Sequence, residues 1–183
     1  MTWRQAQRTV FCLTALVLLV CGCDAEKRFA TPTPGDGVGS REGFAIYLTD
    51  PEIRPDKLAT QSHLELADEP ILGTEDILQY VWTEHEITLT QAGFERLHAL
   101  KVPTSGISFV VCVDRAPIYA GAFWPGYSSQ SWDGITIDPV LMTADRPVVR
   151  IELGYPGSGF FQGDDLRADP LIRAALEREG KLK

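Results

Sequence analysis

The chain is poor in cysteine, histidine and positive charge, and each shortage narrows what it can be. Of 183 residues only four are cysteine and three histidine. Cys12, Cys21 and Cys23 fall within the first 23 positions, so Cys112 stands alone in the remainder. No disulfide can staple that remainder, and its stability must come from a hydrophobic core, for which about 140 residues are ample. His63, His85 and His98 share no metal-ligand spacing, and there is no His-Glu-x-x-His or Cys-x-x-Cys run. Seventeen basic against 25 acidic side chains give a net charge of −8, and loss of Arg4 and Arg8 with a leader would take it to about −10. Nucleic-acid binders need basic stripes that displace counterions, so that class is excluded. Internal repeats are absent, and no cofactor motif is present.

What is present begins with an address. Arg4 and Arg8 precede Thr9–Gly22, an uncharged run dominated by Val, Leu, Phe and Ala. It is shorter than the ~20 residues that span a bilayer and has the form of a secretory signal. It ends Val20-Cys21-Gly22-Cys23. This resembles the lipobox of bacterial lipoproteins, with Cys21 an unusual occupant of a small-residue slot. The resemblance implies a signal peptide at 1–22, with Cys23 carrying palmitate-like acyl chains as the mature N-terminus. It also implies attachment to the cell membrane on its extracytoplasmic, periplasmic side. Each buried CH₂ contributes ~0.8 kcal/mol, so several chains hold permanently. Asp24 resembles an inner-membrane retention signal of enteric bacteria, a rule other bacteria do not share, so the choice of membrane stays open.

Residues 23–42 form the lipidated cysteine and a tether rich in Pro, Gly, Thr and charge, without apolar period. From 43 to 183 the pattern is that of one α+β domain. Phe44–Leu48 is a strand, His63–Leu66 alternates like one, and Pro70–Leu72 is a further short one. Ile77–Trp82 fits either helix or strand. Glu84–Leu89 alternates, placing His85, Ile87 and Leu89 on one face. Thr90 caps a helix carrying Phe94, Leu97, His98 and Leu100. Phe109–Val113 is apolar throughout, hence a central strand covered by that helix. Asp114–Pro117 turns it into Ile118–Phe123, which makes a β-α-β-β unit. Ile135–Ile137 and Val148–Leu153 are strands, and Asp169-Pro170 starts a last helix through Leu171, Ile172, Ala175 and Leu176. A mixed, mostly antiparallel sheet with helices on one face follows.

The run Thr88-Leu89-Thr90, Gly93, Phe94, Leu97, then Val110–Asp114 and Ala116-Pro117-Ile118 resembles the periplasmic head region of SecD-type protein-export subunits, over about residues 70–137. Ile71–Ile77 is similar to a strand-turn segment there. The resemblance implies a small sheet covered by helices. Arg115 stands where a turn Gly is usual, and no transmembrane bundle accompanies the match, so proton-driven export is not implied.

Candidate chemistry is sparse. His85 lies between Glu84 and Glu86, but strand neighbours point to opposite faces. Cys112 sits among valines and reads as a small hydrophobe, not a nucleophile. Gly126–Gln130 lacks the second Gly of a nucleophile elbow, so its serines read as turn caps. Asp133-Gly134 and Gly163–Asp165 lack the spaced oxygens of a calcium loop. Gly154–Gly159 has a Pro and no following Lys for phosphate. The richest feature is aromatic: Phe123, Trp124, Tyr127 and Trp132 in one loop, suited either to roofing the core or to binding a peptide, glycan or protein partner. The expectation is therefore a non-enzymatic binding or accessory module of the cell envelope, held to the lipid bilayer through Cys23, with another envelope protein or peptide as partner. A dispersed-site envelope hydrolase is the alternative, and assembly through an open sheet edge a third.

Overall fold

The computed structural model describes residues 43–58, 60–61 and 63–183. The expected signal peptide, the expected lipidation site Cys23 and the expected tether all lie outside the described residues. Within them the fold is α+β. Seven strands form one mixed sheet: β1 Phe44–Leu48, β2 Ile77–Val81, β3 Glu86–Leu89, β4 Ile107–Val113, β5 Ala116–Phe123, β6 Trp132–Ile137 and β7 Val148–Tyr155. Their order is β1-β4-β5-β6-β7-β3-β2. Every neighbouring pair is antiparallel except β5 and β6, which run parallel over three residues, Gly121 to Phe123.

Among the described residues three α-helices accompany the sheet: α1 Pro55–Leu58, α2 Gln91–His98 and α3 Pro170–Arg178. Thr90 caps α2 by accepting from the Gly93 amide. Asp169 caps α3 by accepting from the Leu171 amide, with Pro170 at the first helical position. The helix after β3 is not the main cover of β4, as its apolar sequence suggested. Instead α2 packs on a 3-10 turn, Thr74–Asp76, and on β3, while α1 and α3 lie against β4. The reason is topological: the sheet inserts β5, β6 and β7 between β3 and β4, so the helix joining those strands stays near the first of them. All seven residues of β4 are buried, because both its faces are covered. Ile107, Phe109, Val111 and Val113 face the main core with Phe94, Leu97, Ile172 and Leu176. Val110 and Cys112 face a smaller cluster with Ala45 and Tyr47, against which Leu64 and Leu66 pack.

Both ends of the sheet are blunted. Leu66 and Leu72 bridge to the outer side of β1, at Thr49 and Ile46. His63–Leu66 and Pro70–Leu72 therefore supply single bridges where strands were expected. Leu182 bridges in parallel to Tyr80 of β2, the Lys181 carbonyl accepts from the Tyr80 amide, and the Lys181 Nζ donates to the Ile77 carbonyl. The two ends also approach each other. The Thr74 hydroxyl donates to the Phe44 carbonyl at 2.7 Å, and the Phe44 and Tyr80 rings meet edge-on at 6.0 Å. With both outer strands covered, edge-to-edge assembly at β1 or β2 is disfavoured.

The β4–β5 turn places Asp114 and Arg115 at φ +48° and +66°, the backbone of a tight two-residue hairpin that ordinarily asks for Gly. Arg115 adopts it without Gly. Its guanidinium donates to the Asp68 and Ala67 carbonyls and sits 5.2 Å over the Tyr47 ring.

Candidate functional site

The aromatic loop, residues 124–131, joins the two parallel strands and must carry the chain back to the start of β6. Such connections are usually longer, and this one is held in shape by polar contacts. The Tyr155 hydroxyl donates to the Gly126 carbonyl at 2.7 Å and reaches the Ser128 carbonyl at 3.1 Å. The Ser128 hydroxyl donates to the Thr104 carbonyl at 2.7 Å, and Asp138 accepts from the Gly126 amide at 2.8 Å. The Trp124 indole N–H donates to the Gln130 carbonyl at 3.3 Å.

The structure divides the four aromatics. Phe123 is fully buried against Phe109, with ring centroids 5.0 Å apart, and forms core, not surface. Trp124 is buried too; its ring lies against Gly106, where a Cβ would strike it. Trp132 stacks on Trp124 at 5.5 Å and is half-buried, its indole N–H enclosed without an acceptor among the described residues. Tyr127 alone faces outward, 64% exposed, with its hydroxyl 3.4 Å from the Val102 carbonyl. Two rings therefore roof the sheet, one lies between, and one is presented to solvent on a braced loop.

A second, polar cluster was not legible in advance. His85 is not on the strand. It sits in the β2–β3 turn at φ +50°, and β3 begins at Glu86. There its Nδ1 is 3.1 Å from the Tyr80 hydroxyl, and its ring meets those of Tyr80 and Trp82. Desolvation lowers the His85 pKa below its ordinary value, with the Arg167 charge adding to the effect and Asp165 and Glu84 opposing it. Arg167 binds Asp165 through Nε (2.9 Å) and Nη2 (2.7 Å), and its Nη1 donates to the Ile151 carbonyl at 2.8 Å. That hydrogen-bonded pairing holds the Asp165 carboxyl below its usual range. Burial pushes the phenols of Tyr80 and Tyr119 up. The Tyr119 hydroxyl is enclosed with no hydrogen-bond partner among the described residues. Asp165-Leu166-Arg167 carried a faint signal, opposite charges two apart in a turn; the distant partners did not.

The remaining sequence candidates disperse. His98 is exposed and stacks on Phe94 at 5.2 Å instead of entering the core, because it lies one position beyond the buried Leu97 on α2. His63 is exposed and Cys112 is a buried thiol. Ser128 is committed to its loop, since its hydroxyl also accepts from the Gln130 amide at 3.1 Å. Among the described residues no group of three or more His, Cys, Asp or Glu side chains is arranged to hold a metal, and no helix is long and apolar enough to cross a membrane.

Comparison with protein-family models, with curated proteins and with solved structures finds no match to this chain. The class that the fold and the site define is an α+β domain that displays a braced aromatic loop.

Proposed function

We propose that the chain is a membrane-anchored extracytoplasmic lipoprotein whose domain is a non-enzymatic binding module for another component of the cell envelope. The observation that carries the binding reading is Tyr127: a large ring, mostly exposed, on a loop tied to Tyr155 and Asp138 through its Gly126 backbone and to the Thr104 carbonyl through its Ser128 hydroxyl. A rigid aromatic gives contact area at little cost in conformational entropy, which is why such rings are enriched at interface hot spots. The anchor rests on the lipobox-like Val20–Cys23. On this reading the stretch that resembles SecD-type heads serves as scaffold, supplying β2 to β6 of the sheet.

The His85–Tyr80 pair supports the same reading. The Tyr80 ring is fully buried and its hydroxyl is spent on His85, as suits a structural latch. Two measurements test the proposal. Palmitate labelling should mark the wild type and not Cys23→Ser. Tyr127→Ala should keep its urea midpoint while losing co-purification of its envelope partner. An unlabelled wild type removes the anchor, and a Tyr127→Ala protein that keeps every contact removes the binding surface.

A further inference from the structure

The outer face of β7 carries a groove with two uncommitted opposite charges. Val149 and Ile151 point into the core, so Arg150 and Glu152 point the other way and are exposed. Two adjoining depressions, about 320 and 230 Å³, share these two side chains as their floor. One is bounded by the Gly154–Ser158 turn and Arg167. The other is bounded by Glu86, Asp138, Arg146 and Leu141, and Leu141 is 79% exposed beside it. Asp138 is also the residue that holds Gly126 next to Tyr127, so the groove adjoins the aromatic loop.

Six charged side chains line this groove, three of each sign, on a chain that is acidic as a whole. Four are spoken for. Arg150 pairs with Glu86 at 3.0 Å, Arg167 with Asp165 at 2.7 Å, and Asp138 accepts from the Gly126 and Val140 amides. Glu152 and Arg146 make neither an ion pair nor a side-chain hydrogen bond among the described residues. One is a free carboxylate where the two depressions join, and the other is a free guanidinium at the wall of the second. The apolar surface beside them is Leu141.

From this arrangement we infer that the groove receives an extended peptide segment of the partner, with a basic side chain against Glu152, an acidic one against Arg146 and an apolar one over Leu141. Side chains two positions apart on an extended chain share a face, so a short segment presents all three. Complementary charges at a rim fix register and direction more than they add affinity. The inference rests on the binding-module reading and names the chemistry of the partner.

The test is a titration of the isotope-labelled full chain, in detergent micelles, with the blocked pentapeptide acetyl-Lys-Ala-Leu-Ala-Glu-amide. Saturable amide shifts confined to Leu141 and to Arg146 through Leu153 are expected. Glu152→Gln and Arg146→Gln should each weaken binding by about 1.4-fold to fivefold, the range of one exposed ion pair. Both variants should fold as the wild type does, since neither side chain has an internal partner to lose. A peptide with Gln in place of Lys and Glu should bind worst. Absence of saturable shifts, equal affinity for the Gln peptide, or indifference to both substitutions would overturn the groove. If the groove fails while Tyr127→Ala still severs the envelope contact, the groove falls alone; if both fail, the binding-module reading falls with it.

Discussion

Tyr119→Phe should stabilise this protein. The Tyr119 ring is packed in the main core, and its hydroxyl has no hydrogen-bond partner among the described residues. Phe keeps the ring and its contacts and removes only the stranded O–H. A buried polar group left unsatisfied costs about 1–3 kcal/mol, and relief of part of that should raise stability by about 1 kcal/mol. With m near 1–3 kcal/mol/M in urea for small proteins, the midpoint should rise by on the order of 0.5 M. The neighbouring phenol is the internal control. Tyr80 has the same size and the same burial, but its hydroxyl is bonded to His85. Tyr80→Phe should therefore lose about 0.5–1.5 kcal/mol. Urea unfolding of the full chain, followed through the fluorescence of Trp82, Trp124 and Trp132, measures both. Opposite signs are expected. A loss on Tyr119→Phe as large as that on Tyr80→Phe would refute the reasoning, because it would mean the Tyr119 hydroxyl is bonded after all.

Three further outcomes follow from the packing. The His85 pKa is lowered in the fold, so the unfolded chain binds more protons below its ordinary value near 6.5; stability should be full above about pH 7 and fall as pH drops through 6.5 toward the folded pKa. His85→Gln should flatten that slope in urea midpoints taken from pH 7.5 to 5. Asp76 is buried and accepts from the Gly73 amide at 2.9 Å and from Arg96, tying the 3-10 turn to α2. Asp76→Ala should cost about 2 kcal/mol, most of it from the stranded amide, whereas Asp76→Asn keeps an acceptor and should cost less. Gly93 lies in α2 with a would-be Cβ 2.8 Å from the Asp76 Cβ and 3.1 Å from its carbonyl oxygen. Gly93→Ala should therefore lose about 1–3 kcal/mol to crowding, outweighing the ~1 kcal/mol that helix propensity favours, as a drop in melting temperature will show.

Local signals were legible because they are local. The Thr90 and Asp169 caps and the apolar run Phe109–Val113 of β4 depend on residues within a turn of one another, as does the turn after it, expected over Asp114–Pro117 and found tighter, at Asp114–Arg115, with β5 starting at Ala116. Pairing was not legible, since β3 and β4 are adjacent in sequence but separated by three strands in the sheet, and nothing in either sequence encodes that spacing. His85 shows the same limit: its alternation with Ile87 suggested a strand, but the β2–β3 turn takes it first, and the Tyr80 hydroxyl holds it there. The aromatic loop could be seen as a cluster, but which rings face inward depends on contacts with Phe109, Gly106 and Val102 from other elements. Arg146, Arg150 and Glu152 carry no signal in the sequence, and only the fold brings them around one groove.

Contact through the Tyr127 face is the claim on which the function rests, and site-specific photocrosslinking in the native envelope tests it most directly. A photoreactive phenylalanine analogue at position 127 or 141 should give a discrete adduct that the same group at exposed His63 does not. Adducts no different between 127, 141 and 63 would contradict the account.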